Sequence, residues 1–244
     1  MYFPEQPNPD EVLNTNQTDV LRIHSLETFG THDGPGIRMV IFVQGCQFRC
    51  LYCQNPDTLD INGGTLIPIE ELIEKALHQK TYFGEKGGVT VSGGEPLLQR
   101  AKLIPFFDRL HENGINTCLD SNGRVLDSQT KSLLERTDIL LLDVKHINKE
   151  WHKKLTGLKN ETTLKIAKYR ESTGKPMWLR YVLVPGWTDQ EEYLQVRNQK
   201  TALATTIEKV GKSTFIANLT TFIGFFVFYF TGSSLLMEFG LVAS

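Results

Sequence analysis

Met39-Val40-Ile41-Phe42-Val43-Gln44-Gly45-Cys46-Gln47-Phe48-Arg49-Cys50-Leu51-Tyr52-Cys53-Gln54-Asn55-Pro56 is the stretch from which the rest of the chain can be read. Its first five residues are a continuous apolar run, as expected of a strand buried on both faces. At its C-terminal end the run delivers a loop that holds three of the four cysteines of the protein, spaced C-x3-C-x2-C. Thiolates this close along the backbone can converge on one metal centre. An iron–sulfur cube takes four protein thiolates, one per iron. Three from the loop would leave one iron open, and an open coordination position is where metal chemistry occurs. Zinc is the competing occupant, with Cys118 as a fourth ligand. Structural zinc loops, however, pair their ligands as two knuckles, and the sequence offers no second knuckle or nearby His pair. An odd number of cysteines in a cramped loop also argues against a disulfide framework.

Outward from that loop, 244 residues supply one large α/β domain or two small ones. Charge is nearly balanced, 26 basic against 28 acidic residues with net −2, and there is no Lys/Arg run. A nucleic-acid or anionic-membrane partner therefore gets no support. Four cysteines without an export signal point to a reducing cytoplasm. Residues 1–20, rich in Pro, Asn and acidic side chains, read as a flexible N-terminal extension.

From residue 21 onward, strand and helix patterns alternate. Arg22–Glu27 alternates polar and apolar like a half-buried strand. Pro68 followed by Ile69, Leu72, Ile73, Ala76 and Leu77 predicts a helix, and Val89–Val91 predicts a strand. The stripe Leu103, Phe106, Phe107 and Leu110 predicts a second helix, with Pro105 as a candidate break and Gly114 as its stop. Strands over 116–119, 139–142 and 178–184, with helices over 127–136 and 161–173, complete the series. Such repetition with short connections predicts parallel β/α units, either a full or partial barrel or an open doubly wound sheet. In both, chemistry gathers at the C-terminal strand ends. Five polar clusters stand at such ends: the cysteine loop, Ser92-Gly93-Gly94-Glu95, Asp120-Ser121-Asn122-Gly123, Asp143-Val144-Lys145 and the segment around Arg180.

Each cluster has a plain structural reading beside its functional one. Gly93 and Gly94 can offer bare backbone to a ligand or simply make a tight turn, with Glu95 as its anchor. Asp120 and Asp143 can share a cation or ligand ammonium, or each cap the following helix. Lys145 can meet a ligand carboxylate or stay solvated. Cys118 reads as buried filler. None of the six histidines has metal or triad spacing.

The cysteine loop after a buried strand, with SGGE after the next, resembles the radical S-adenosylmethionine (SAM) superfamily. The likeness narrows through Asp33-Gly34-Pro35-Gly36-Ile37-Arg38, Gln44-Gly45-Cys46, Thr117–Asp120 with Asn122-Gly123, Leu142-Asp143 with Lys145, and Arg180–Val182 with Val184–Trp187. Together these resemble the family of pyruvate formate-lyase activating enzymes. The resemblance implies a partial (β/α)6-type parallel barrel over about residues 21–205. It implies an oxidoreductase in which Cys46, Cys50 and Cys53 hold a 4Fe–4S cluster whose open iron is chelated by SAM. Reductive cleavage of SAM would then give a 5′-deoxyadenosyl radical that takes a hydrogen from a glycine Cα of pyruvate formate-lyase. By the same resemblance Tyr52, Cys53, Gln54, Gly93, Gly94, Asp120, Asp143, Val144, Lys145, Arg180 and Val182 meet SAM. Asp120, Ser121 and Asp143, with the Leu141 carbonyl, hold a monovalent cation. Asp33 meets the substrate glycine loop, and a flavodoxin- or ferredoxin-type protein donates the electron. Gln54 stands where the family commonly has His. The rival reading is a zinc-loaded or non-catalytic homologue acting as a binding protein.

Residues 206–244 depart from the family. Residues 211–244 hold seven of the 14 phenylalanines but one Lys and one Glu. A changed reading frame, a membrane segment able to cross about 30 Å of hydrocarbon and an aromatic core hairpin all fit this switch of composition. Asn218, Thr220, Thr221, Thr231, Gly232, Ser233 and Ser234 count against the span. Gly211-Lys212-Ser213-Thr214 is not a phosphate loop, because Thr206 stands where that motif needs Gly. The family's His that reaches SAM is missing from this tail, which predicts weak cluster and SAM binding with hydrogen abstraction poor or absent; robust SAM cleavage and glycyl radical formation overturn that expectation. The tail's apolar surface also predicts aggregation or membrane association of the full chain; a monodisperse, detergent-free monomer by light scattering overturns that expectation.

Overall fold

In a computed structural model, residues 19–190 are described. Residues 1–18 of the expected extension, and the tail at 206–244, lie outside the described residues; Val20 already belongs to the first strand. Seven strands make one sheet: β1 (Val20–Gly30), β2 (Arg38–Val43), β3 (Thr65–Pro68), β4 (Gly88–Gly93), β5 (Asn116–Ser121), β6 (Ile139–Asp143) and β7 (Met177–Arg180), in the spatial order β3-β1-β2-β4-β5-β6-β7. Among the described residues five α-helices accompany them: α1 (Ile69–Phe83), α2 (Arg100–Glu112), α3 (Ser128–Arg136), α4 (Lys149–Thr156) and α5 (Glu161–Ser172).

From β2 to β7 the sheet is parallel, as the strand–helix alternation requires. Its N-terminal part is not. β1 runs antiparallel to β2, because the seven residues between them cannot hold a crossover helix. β3, which the pattern does not reveal, pairs antiparallel with the far side of β1; four mostly exposed residues ending in proline carry too little periodicity to announce a strand. Among the described residues the sheet does not close, so the partial barrel has a mixed edge. β7 is also shorter than the expected 178–184, ending at Arg180.

Pro105 lies inside α2 and does not break it. It removes one backbone donor, a loss of roughly 3 kcal/mol. Against that, Leu103, Phe106, Phe107 and Leu110 are all fully buried, and each contributes roughly 1.5–3 kcal/mol. The stripe wins. These side chains join Leu72, Ile73 and Ala76 of α1, Leu133 and Leu134 of α3 and Ile166 of α5 in one core against the sheet. Among the described residues no helix is long and apolar enough to cross a membrane.

Opposite the strand ends that carry the polar loops, Arg38 closes the base of the sheet. It is fully buried, and its guanidinium donates to the carbonyls of Pro35, Lys86, Val89 and Asn116, to Asn116 Oδ1 and to Thr90 Oγ1. Burial depresses its basicity, and nearby acidic groups offset part of that effect. Replacing Arg38 by Leu strands this set of buried acceptors, each costing about 1–3 kcal/mol. Arg38→Leu is therefore expected to lower stability by about 3 kcal/mol or more, read from urea unfolding of the full chain.

Candidate active site

The polar clusters meet in one cavity of about 410 Å³ at the C-terminal ends of the parallel strands. Cys46, Cys50, Tyr52, Cys53 and Gln54 line it from the loop after β2, and Gly93 and Gly94 from the turn after β4. Asp120, Ser121, Asp143, Lys145, Arg180 and Val182 line it from the ends of β5, β6 and β7. Three expected residues do not. Leu141 lies buried within β6, and the N–H of Val144 donates to the carbonyl of Arg180. Asp33 belongs to the β1–β2 loop, where its carbonyl accepts from Thr90 Oγ1 at 2.6 Å.

Backbone contacts seat the cysteine loop. The N–H of Gly45 donates to Thr58 and that of Glu95 to the Gly45 carbonyl, each at 2.8 Å. Gly94 has no room for a side chain, since a Cβ there would lie 2.2 Å from the Gly45 oxygen. Its N–H is already given to Val43, so a ligand meets this turn through other backbone groups. On the other side, the N–H groups of Arg49 and Leu51 donate to the Thr156 and Leu155 carbonyls. These carbonyls end α4, a helix absent from the sequence expectations, and the loop satisfies acceptors that a helix terminus leaves open. The signals were there: Asn148 caps the N–H groups of Glu150 and Trp151, and Gly157 follows the last turn at φ +84°.

The electrostatics divide the cavity into two halves. Of the three cysteines Cys46 is the buried one: burial pushes its thiol far up, with Glu95 adding to the rise, and burial pushes the half-exposed Cys50 up to about 11. All four cysteines are free. Cys118 is fully buried, lies outside the cavity and is pushed up to about 12, consistent with filler. The far half is ionic. One guanidinium nitrogen of Arg180 lies 2.7 Å from both oxygens of Asp120 and 3.4 Å from Asp143, while Lys145 donates to Asp143 at 2.7 Å. Burial pushes Asp120 up to about 6 although Arg180 pulls it down, and Asp143 adds to the rise. Burial opposes the charge of Lys145, but Asp143, Cys50 and Tyr52 together outweigh it and the pKa is raised. Lys145 also lies 5.8 Å from the centre of the Tyr52 ring.

Glu95, expected as the anchor of the glycine turn, and Asn122, which has no role in the sequence reading, organise the wall. Glu95, fully buried, accepts from Leu97 N–H, Ser121 Oγ and Asn122 N–H, and burial lifts it to about 7 against those donors. Asn122 then places its amide nitrogen 3.7 Å from Cys46 Sγ.

Among the described residues no three His, Cys, Asp or Glu side chains draw together tightly enough to hold a single metal ion. Cys118, the fourth ligand of the zinc reading, lies outside this cavity, which disfavours zinc. A cube instead spreads its thiolates over separate irons. Three thiols lining a common cavity, the buried one met by an amide N–H, fit the latter.

Residues 40–195 match the radical SAM superfamily. The chain belongs to it. Over 192 residues it is 43% identical to pyruvate formate-lyase 1-activating enzyme of Escherichia coli K12, covering 78% of each chain. With the pyruvate formate-lyase-activating enzyme of Staphylococcus epidermidis it shares 46% identity over 180 residues, 70% of this chain and 72% of that one. Within the superfamily it therefore falls in the family of pyruvate formate-lyase activating enzymes. The fold agrees with Streptococcus suis SuiB bound to its precursor peptide SuiA, at a TM-score of 0.53 and 20% identity over 64% of this chain and 35% of that one. Membership of the superfamily implies a 4Fe–4S cluster and SAM.

The packing of α4 on the cysteine loop also generates a pH dependence. His152 is fully buried against Phe48, and its Nδ1 lies 2.6 Å from the Leu158 carbonyl. Burial lowers it to about 4. Its folded pKa lies below the unfolded value near 6.5, so only the unfolded chain takes up the proton as pH falls between them. Stability is expected to drop by about 3 kcal/mol from pH 6.5 to 4 on this account. The His152→Gln protein should lose that slope when both are unfolded with denaturant across the range.

Proposed function

We infer that this protein activates pyruvate formate-lyase, using a 4Fe–4S cluster and SAM to create a glycyl radical in that enzyme. The observation that carries the reading is the joining of three loop thiols and an ionic quartet in one cavity. Cys46, Cys50 and Cys53 would hold the cluster. When bound, the cluster and SAM supply reductive cleavage of the sulfonium, giving the carbon radical that takes a hydrogen atom from a glycine Cα.

The chain's own residues bind, orient and exclude water. Asp120 and Asp143 face Arg180 and Lys145, a set of charges complementary to the ammonium and carboxylate of an amino-acid head group. Arg180 and Lys145 would turn toward the carboxylate, releasing Asp143 to take the ammonium. Tyr52, Gln54, Val182 and the Gly93–Gly94 turn would shape the remainder of the SAM site. Buried Cys46 and Phe48 keep the cluster side dry, which favours radical chemistry over quenching by water. A monovalent cation beside SAM would share Asp120 and Asp143 with Arg180, with Ser121 at hand. Ser121 Oγ already donates to Glu95 and accepts from Gly123, so it offers one further lone pair. Asp33, outside the cavity, is assigned to the polypeptide substrate. A flavodoxin- or ferredoxin-type protein is the electron donor of this reading, and the cytoplasm, where free thiols persist, its compartment.

Anaerobic reconstitution of the full chain tests the reading. Brown protein with bound iron and sulfide is expected, with SAM cleavage and a glycyl radical signal on pyruvate formate-lyase that are weak for want of the family's C-terminal His. Cys50→Ser should lose the cluster and at least a hundredfold of the activity. A colourless protein carrying zinc or no metal in the loop overturns the assignment.

A further inference from the structure

We propose that Asn122 sets the reduction potential of the cluster, by donating an N–H···S hydrogen bond to Cys46. This rests on the assignment of Cys46 as a cluster ligand. The amide nitrogen lies 3.7 Å from Cys46 Sγ, and both residues are more than nine-tenths buried. A ligating thiolate only accepts, so the amide must present nitrogen, not oxygen, to the sulfur.

The other end of the side chain shows why an amide stands here. Asn122 Oδ1 is buried and has no hydrogen-bond partner among the described residues. A buried unpaired oxygen destabilises the fold, and an apolar side chain of the same shape would avoid that loss. What only the amide provides is the N–H toward sulfur. The backbone around it is also held from both sides: Asn122 N–H donates to Glu95 at 2.8 Å, and its carbonyl accepts from Thr163 Oγ1 at 2.7 Å. Gly123, at φ +71°, lets the chain turn away immediately afterwards. The donor is therefore positioned before any cluster is present.

Reducing the cluster by one electron adds negative charge, part of which resides on the thiolate sulfurs. An N–H aimed at one of them stabilises the reduced form and makes the potential less negative. The effect is strong in a dry setting, and Cys46 is the most buried of the three ligands. Asn122 is thus a positioning residue acting through Cys46, easing entry of the electron from the donor protein.

The test is a potentiometric titration of the reconstituted full chain without SAM, followed by the paramagnetic signal of the reduced cluster. Asn122→Leu keeps the shape and removes the donor, and Asn122→Asp places a carboxylate against the sulfur. With iron and sulfide content equal, the midpoint should move to more negative values in the order wild type, Leu, Asp. Asn122→Ala provides the same comparison with less bulk should the Leu protein fold poorly. A common midpoint in loaded wild type and loaded variants overturns this inference alone. A wild-type protein that takes up no cluster overturns the proposed function and this inference with it.

Discussion

The Glu95 carboxylate, buried behind the cavity, accepts from the N–H groups of Leu97 and Asn122 and from the hydroxyl of Ser121. Removing a carboxylate from water is costly, and the raised pKa records that cost. Three donors offset it and in doing so lock two neighbouring strand ends together, the turn after β4 and the segment leaving β5. The same residue's N–H reaches Gly45, so one side chain and its backbone fix the cysteine loop, the glycine turn and Asn122 relative to one another. Every distance in the candidate site is referred to that junction. Half of such a network would be worse than none, because a buried carboxylate short of donors would swell the turn or take a proton.

The cysteine loop itself owns little of its geometry. It has no regular structure beyond a short turn at Pro56–Thr58, and it is held by neighbours: Gly94 pressed on Gly45 on one side, the end of α4 on the other. A loop held this way can present thiols at separated positions without relying on a metal to organise the backbone. The steric limit at Gly94 explains its glycine more directly than ligand approach does.

Much of this was legible in the residues. The apolar run 39–43, the breakers after each strand and the helical stripes declared the parallel sheet, and the five polar strand ends marked the cavity. What escaped has physical reasons. Antiparallel pairing of β1 is decided by the short connection to β2, not by its alternation. β3 is too brief to show a period. Pro105 looks like a break until the burial of four neighbours is weighed against one lost donor. In α4, Trp151 and Leu155 are interrupted by charges, and only the cap residues at its ends disclose it. Asn122 stands within a recognisable motif, but its partner Cys46 is 76 residues away, so local spacing gives it no role.

Arg180, whose guanidinium touches carboxylates from two adjacent strands, carries one more implication. Together with Lys145 it leaves two negative and two positive groups side by side, so this wall projects almost no long-range field. The zwitterionic head group of an amino-acid ligand is then captured by local exchange of partners instead of being drawn in from a distance. Its encounter rate should vary little with ionic strength, unlike association guided by a uniformly charged funnel.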